Sequence, residues 1–126
     1  MSTAKTGRRA ASGIAWAIQL LIAAQFALSG LGKFFDGEGW ERRFRGWGYP
    51  DNVFLLVGAI ELALAVLILV PRAWRVATLG TVVFMVGAAA THIRADDGHY
   101  WAAVVTGILA VAVYLMRSKL AAPADR

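Results

Sequence analysis

The sequence has no cysteine among its 126 residues, and this absence excludes disulfides, thiol redox chemistry and thiolate metal ligation by this chain. Acidic residues are scarce, because eight Asp and Glu accompany thirteen Lys and Arg and leave a formal net charge of +5. The sequence also lacks a phosphate-binding loop, a nucleophile elbow and a dinucleotide-binding glycine motif. The sequence therefore contains none of these catalytic motifs from which a function could be assigned.

Apolar residues, by contrast, are abundant. They make up 59% of the chain and give it a mean hydropathy of +0.58, whereas soluble domains are about 45–50% apolar. A soluble protein of this size leaves too much surface exposed to hide such a composition in its own core. The basic residues are spread over the gaps between apolar stretches and are not gathered for nucleic acid. We therefore predict an integral membrane protein that contacts the lipid bilayer and has no nucleic-acid partner.

Four apolar stretches divide the chain. Each is roughly 17–24 residues long, and a helix needs about 20 residues to cross the hydrocarbon layer. Helices are required because lipid offers the backbone no hydrogen-bond partners. The sequence thus predicts an all-α fold, a four-helix transmembrane bundle over residues 12–116. The spans are predicted at about 12–35, 52–70, 73–93 and 100–116.

Lys and Arg are distributed unevenly between the two sides of such a bundle. Eight lie at the N-terminus, in the second gap and in the tail, and five lie on the other side. Because cytoplasmic loops are enriched in Lys and Arg, we predict a multi-pass protein of the plasma (inner) membrane with cytoplasmic termini, 1–11 and 117–126. The first stretch is too long for a signal-peptide core and no small-x-small cleavage site closes it, so we expect it to remain as a span.

The gap between the first two spans contains an aromatic stripe. Trp40, Phe44 and Trp47 are spaced i, i+4, i+7 and share one face of a short helix. Glu41 and Arg45 lie on the other face, so we predict an interfacial helix between helices 1 and 2. Two interpretations stay open: the rings anchor this helix in the headgroup layer, or they form a lid over a pocket that opens to the outer face.

Glu61 is the acidic residue that lies deepest in an apolar stretch. It follows Asn52 by nine residues, or about 13 Å along a helix, which places it near mid-membrane. Ionisable groups at that depth face the bundle interior, and lipid favours the neutral carboxyl unless a cation lies next to it. Gln25 is predicted at a similar depth, so a Gln25–Glu61 hydrogen bond could join the helices. The alternative is a role in ligand or proton handling.

A polar pocket is predicted from the side chains that share faces with these two residues. Gln25, Ser29 and Lys33 lie on one face of the first helix, and His92 lies near the outer end of the third. Glu61 and Gln25 would form the floor, and Lys33 and His92 the rim, of a site for a negatively charged or quinone-like ligand. The alternatives are a Lys33 that extends to the headgroups and an ordinary interfacial His92. A direct Lys33–Glu61 ion pair is not expected, since their predicted depths differ by about 12 Å.

The third gap contains two imidazoles and two carboxylates between His92 and His99. Such groups can ligate a divalent metal. However, their spacing matches no defined ligand motif, and Asp96-Asp97-Gly98 is typical of a turn. We therefore predict no metal site.

Four short motifs resemble those of a known family. Gly30-Leu31-Gly32-Lys33-Phe34 closes the first span, and Gly48-Tyr49-Pro50 precedes the second. Gly58-Ala59-Ile60-Glu61-Leu62 lies within the second span, and Thr91-His92 ends the third. In this order, over about residues 14–116, the sequence resembles the DoxX family of small bacterial membrane proteins.

The resemblance implies a four-helix membrane bundle associated with membrane oxidoreductase systems, since family members include a subunit of a thiosulfate:quinone oxidoreductase and partners of redox-protective assemblies. It implies a subunit or accessory of a quinone- or sulfur-linked system, with a possible quinone, a possible redox partner protein and possible homo-oligomers. It supplies no catalytic set, so enzymatic activity stays open. The alternatives are a non-catalytic scaffold that recruits a partner protein and, less favoured, a small transporter, because a single deep acid makes a poor translocation path.

Overall fold

Helices account for nearly all of the chain, as the apolar periodicity predicts. The computed structural model describes residues 2–123, and this part of the chain contains no β-strand. Met1 and residues 124–126, which include Arg126 of the charge count, lie outside the described residues. The α-helices are α1 (Ser2–Phe35), α2 (Gly37–Gly46), α3 (Val53–Leu67), α4 (Trp74–Ala95) and α5 (Tyr100–Ala121), with a 3-10 turn at Pro71–Ala73.

Three of these helices, α1, α4 and α5, are long and apolar enough to cross a membrane. The remaining apolar helix, α3, has 15 residues and is about 22 Å long, which is short for a hydrocarbon layer of ~30 Å. The structure therefore supports three of the four predicted spans, and the second is a shorter apolar helix.

The short length of α3 has a local cause at each end. Asn52 precedes the helix in the left-handed conformation, with φ of 68°, so the helix begins only at Val53. Pro71 follows at the other end, and the residue before a proline is pushed away from helical geometry. Val70 is accordingly extended, with φ of −83° and ψ of 117°. The apolar run 52–70 predicted a longer helix because hydropathy does not register these two constraints.

The polar ends of the chain extend the first and last helices. α1 starts at Ser2, ten residues before the predicted span, and α5 continues to Ala121, past the predicted limit at 116. Ala, Lys and Arg are good helix formers, so these segments continue the helix beyond their apolar part. The short helix predicted between the first two spans is present as α2.

The helices form a ring in which α1 packs against α3 and α5, and α4 packs along α5. Contacts between α3 and α4 are few, and α2 lies across one end against α1 and α3. The core contains Ile22, Phe26, Leu64, Met85 and Ala110. Large apolar side chains also cover the outside of the long helices, which suits a surface surrounded by lipid rather than water.

Two glycines set the distance between α1 and α3. A Cβ at Gly30 would lie 2.9 Å from Leu62 Cγ and 3.0 Å from the carbonyl oxygen of Gly58. A Cβ at Gly58 would lie 3.1 Å from Lys33 Cβ and 3.3 Å from the Gly30 carbonyl oxygen. The two backbones therefore touch at this crossing, as small residues allow in membrane helix pairs.

A polar contact closes the opposite end of the bundle. The buried Gln19 side chain donates to the carbonyl oxygen of Ile68 at 2.7 Å, a group that the end of a helix leaves without a helical partner. Its own oxygen accepts from Arg117 Nε at 2.9 Å and Nη2 at 2.7 Å. One amide thus connects α1 with the end of α3 and with α5.

We expect Gly30→Ala to destabilise the bundle by about 1–3 kcal/mol, the usual cost of overpacking a tight contact. The added methyl meets a backbone oxygen that cannot move aside without shifting α3. The measurement is thermal unfolding in detergent micelles. Gly13→Ala is the matched control on the same helix, because a Cβ there meets nothing within 4 Å. Equal melting temperatures for the two variants would contradict the tight crossing.

Candidate functional site

A cavity of about 380 Å³ lies between α1, α3, α4 and α5, with α2 across it. Phe26 and Phe84 form an edge-to-face pair in its apolar wall, with ring centroids 5.7 Å apart. The cavity walls include every residue that the sequence analysis selected for the pocket and the aromatic stripe: Gln25, Ser29, Lys33, Trp40, Phe44, Trp47, Glu61 and His92. We refer to this cavity as the pocket.

An ion pair lies inside the pocket. Lys33 Nζ is 2.5 Å from Glu61 Oε1, and both side chains are only 4% exposed. The ammonium is also 2.9 Å from Ser29 Oγ and 3.9 Å from the centre of the Trp40 ring. The prediction that Lys33 and Glu61 are too far apart for direct contact is therefore wrong. The alternative in which Lys33 extends outward to the headgroups is wrong as well.

Side-chain direction explains the error. Side chains on an α-helix lean toward its N-terminus, so Lys33, near the end of α1, points back into the bundle. At the glycine crossing, Lys33 lies three residues past Gly30 and Glu61 three residues past Gly58 on the antiparallel helix. The axial offset between Lys33 and Glu61 is therefore only about 9 Å at 1.5 Å per residue. A lysine and a glutamate side chain together span that offset.

Glu61 Oε1 contacts its cation without the geometry of a hydrogen bond. Its Oε1 is buried, and no donor in the described chain meets hydrogen-bond geometry with it, although the Lys33 ammonium is in contact. The attraction is therefore ionic and off the lone-pair direction. A buried carboxylate oxygen without a hydrogen bond is costly. The Lys33 ammonium therefore balances the charge of this buried oxygen without a directed hydrogen bond.

The Gln25–Glu61 hydrogen bond, one of the two alternatives for these residues, is not formed. Gln25 Oε1 instead accepts from Thr106 Oγ1 at 2.9 Å, so the amide connects α1 with α5 rather than with α3. Depth alone suggested the Glu61 partner, but Gln25 lies on the side of α1 that faces α5. The sequence analysis missed Thr106 as the partner of Gln25, because a threonine in an apolar helix gives no distinct signal.

The aromatic face of α2 points into the pocket. Phe44 is buried, and its ring contacts those of Trp40, Trp47 and Tyr49 at centroid distances of 6.3, 5.1 and 5.5 Å. The Trp47 ring also lies edge-on to His92, with centroids 5.3 Å apart. The charged face of α2 is outside, where Arg45 pairs with Glu41 and Asp51.

Two hydrogen bonds join the segment after α2 to the end of α4. The Tyr49 hydroxyl lies 2.5 Å from Thr91 Oγ1, and Arg94 Nη2 donates to the carbonyl oxygen of Trp47 at 3.2 Å. Tyr49 and Thr91 both belong to the motifs quoted above, but the sequence analysis assigned them no contact. Their pairing brings the start of α3 to α4 at the end of the pocket.

His92 forms part of a small polar cluster beside the pocket. Its Nδ1 is 2.7 Å from Asp97 Oδ2, and the backbone N–H of His99 donates to Asp97 Oδ1 at 2.9 Å. The hydrogen bond with His92, followed by that from the His99 backbone, holds the pKa of Asp97 below its ordinary value. Asp97 is therefore ionised at neutral pH.

Comparison with known proteins identifies a family that covers most of the chain. A model of the family described as DoxX-like matches residues 17–115. No curated protein and no solved structure matches the chain. The matched range includes all of the pocket residues and the four motifs.

Lys33→Met should cost about 3–5 kcal/mol of stability, since it leaves a buried carboxylate without its cation. The double variant Lys33→Met/Glu61→Gln removes both charges and should recover part of that loss. The free energies of unfolding of the single and the double variant are measured by titrating SDS into detergent micelles that contain the protein. The matched pair Arg45→Met and Glu41→Gln breaks an exposed i,i+4 contact, and Arg45→Met also breaks the exposed contact with Asp51. Both substitutions should have little effect. Equal losses for the two pairs would rule out a structural contribution from the buried one.

Tyr49→Phe should loosen α2 by about 0.5–1.5 kcal/mol, the net contribution of one hydrogen bond. Hydrogen exchange of the α2 backbone amides measures the loosening, and exchange should become faster. Tyr100→Phe is the control, because the Tyr100 hydroxyl has no hydrogen bond in residues 2–123 and its ring pairs with that of the adjacent Trp101. Unchanged α2 exchange in Tyr49→Phe would show that this bond does not hold the helix.

Proposed function

This chain belongs to the DoxX-like family, and we propose that it is a membrane subunit or accessory of a redox system that binds a quinone-like molecule at the Lys33–Glu61 pair. The observation that carries the proposal is this pair itself, buried at contact distance in a pocket with apolar walls. A buried ion pair adds little net stability compared with apolar packing. Its position within a cavity therefore favours a binding role.

The pocket suits a small ring with a polar edge. Its volume of about 380 Å³ lies within the range of small-molecule sites, which combine apolar walls with a few polar groups. A quinone carbonyl can accept from the Lys33 ammonium, and the hydroxyl of its reduced form can donate to the Glu61 carboxylate. Because Glu61 already neutralises Lys33, a neutral ligand is favoured over an anion such as thiosulfate.

The pair offers a route for protons but none for electrons. Quinone reduction takes two electrons and two protons. The Lys33 ammonium can give one proton to the reduced carbonyl oxygen and be protonated again through Glu61, and water must supply the second proton at the other carbonyl oxygen. The chain has no cysteine and so no thiol redox centre. Electrons must then come from a partner protein, which makes this chain the quinone-binding component of an assembly rather than a complete oxidoreductase.

The aromatic face of α2 supports the lid interpretation of Trp40, Phe44 and Trp47. Their rings line the pocket, and the Trp40 ring lies over the ammonium of Lys33. A helix that served only as a headgroup anchor would turn its rings toward lipid. We infer that α2 covers the bound ligand and excludes water from the ion pair, which strengthens it.

We further propose that α3 is the fourth span and that both termini are cytoplasmic, in the plasma (inner) membrane. A short apolar helix can cross where the bilayer thins locally, and the turn residues that follow α3 would lie at the headgroups. Lys33 supports this orientation, because it turns inward and so does not count as a charge of the outer loops.

A scaffold role is the second candidate, favoured by the outer face of α2. Arg42, Arg43 and Arg45 are all exposed there, although one of them pairs with acids of this chain. Such a basic face could recruit an acidic partner protein by electrostatic attraction. A transporter is not favoured, because the three long helices are continuous in the described chain and transporter sites use interrupted helices.

Binding of a short-chain ubiquinone analogue to the purified protein tests the quinone site. We expect Glu61→Gln and Lys33→Met each to weaken binding by roughly tenfold to a hundredfold, since each removes a hydrogen bond to a charged group. Glu41→Gln is the control, an acid on the outer face of α2, and should bind as wild type does. Unchanged affinity in both pocket variants would eliminate the site.

The scaffold candidate predicts that the basic face of α2, and not the pocket, is needed for function. Charge removal at Arg42 and Arg43 should then abolish co-purification of a partner from native membranes, while Glu61→Gln should leave it intact. Loss of the same partner in Glu61→Gln alone would favour the pocket over the basic face.

A further inference from the structure

A cluster of metal-binding side chains lies where α4 meets α5. His92 is in the last turn of α4, Asp97 is in the loop, and His99 immediately precedes α5. Each residue offers one ligand atom, and the three atoms all lie within 4.8 Å of one another. His92 and His99 also line the pocket, so the cluster lies at one end of it, which we call the pocket mouth.

From this arrangement we propose that His92, Asp97 and His99 form a binding site for a divalent transition-metal ion, with Zn²⁺ and Cu²⁺ as its representatives. The prediction of no metal site was based on spacing in the sequence, which matches no ligand motif. The fold brings the three ligand atoms together although the sequence spacing does not indicate it. The metal site is independent of the quinone proposal, because it requires no ligand in the pocket.

The chemistry of the ligands selects the class of ion. Two imidazoles and one carboxylate suit zinc, copper, nickel and iron, whereas magnesium and calcium prefer oxygen ligands alone. Three protein ligands leave a fourth position open, as in catalytic zinc sites. Without cysteine the chain offers no thiolate, so a thiolate site for monovalent copper is disfavoured.

The distances are close to those that a metal needs. Zinc bonds of about 2.0–2.2 Å to nitrogen and oxygen place neighbouring tetrahedral ligands roughly 3.3–3.5 Å apart. Asp97 Oδ2 is 2.7 Å from His92 Nδ1, and Asp97 Oδ1 is 3.5 Å from His99 Nδ1. The three ligand atoms lie within 4.8 Å of one another. The His99 side chain is 78% exposed, so it can rotate to bring its ring nitrogen closer to the other two ligand atoms. A metal would replace the His92–Asp97 hydrogen bond with two coordinate bonds.

Metal binding would connect three parts of the fold. The ligands come from α4, the loop and the start of α5, and the His92 ring contacts Trp47 at the end of α2. An ion here would therefore hold the α4–α5 connection in one conformation and add positive charge at the pocket mouth. The bound ion would act on the pocket through its charge and its location at the pocket mouth, without contacting Lys33 or Glu61.

Isothermal titration of the untagged, full-length protein in lipid nanodiscs with ZnCl₂ tests the site. We expect one ion per chain in the wild type. Asp97→Asn, His92→Asn and His99→Ala should each weaken binding by at least the roughly 10–100-fold that loss of an outer-shell partner costs. Asp96→Asn is the matched control, the adjacent carboxylate outside the cluster, and should bind like wild type. With CuSO₄, the electron paramagnetic resonance spectrum should show coupling to two nitrogens.

Three results would overturn the proposal: no zinc binding by the wild type, wild-type affinity in all of the ligand variants, or the same loss in Asp96→Asn as in Asp97→Asn. Because His99 is exposed, its variant should fold normally, and this keeps the test valid if His92→Asn unfolds. Glu61→Gln should retain zinc binding, so failure of the metal site and failure of the quinone site give different results.

Discussion

The Lys33–Glu61 ion pair depends on how closely α1 and α3 approach. Two charges in an apolar bundle are stable only in contact, because the medium around them stabilises neither one alone. The glycine crossing supplies that contact, since any side chain at Gly30 or Gly58 would push the helices apart. Trp40 then covers the ammonium with its ring. The position of α2 and the shape of the pocket follow from one backbone contact and the charges beside it.

The quoted motifs turn out to be contacts between helices rather than separate features. The glycines of the first and third motifs touch each other, and the lysine of the first pairs with the glutamate of the third. The tyrosine of the second motif bonds to the threonine of the fourth. Four short segments thus describe three contacts that hold α1, α3 and α4 around one cavity. A polar cavity in a membrane bundle needs such partners, because lipid supplies none.

Much of this arrangement could be predicted from hydropathy and helical periodicity. These signals gave the helices, the short α2 and the eight side chains that meet in the pocket. Hydropathy and periodicity could not identify which of these side chains contact each other. The depth of a residue, counted from the end of its apolar run, takes no account of side-chain direction or of where two helices cross. Lys33 was thus separated from Glu61, and the hydrogen bond considered for Gln25 was to Glu61 rather than to Thr106. The length of α3 was overestimated for a related reason, since Asn52 and Pro71 act through backbone conformation.

The few contacts between α3 and α4 have a consequence for how a molecule reaches the ion pair. Val83 and Gly87 on α4 line the pocket and are themselves exposed. The pocket therefore has a lateral opening toward the surrounding acyl chains, as well as the end beneath α2. A hydrophobic molecule dissolved in the bilayer could diffuse in sideways without crossing water. Its concentration at the site would then be set by its solubility in lipid, and a weak intrinsic affinity could suffice for high occupancy.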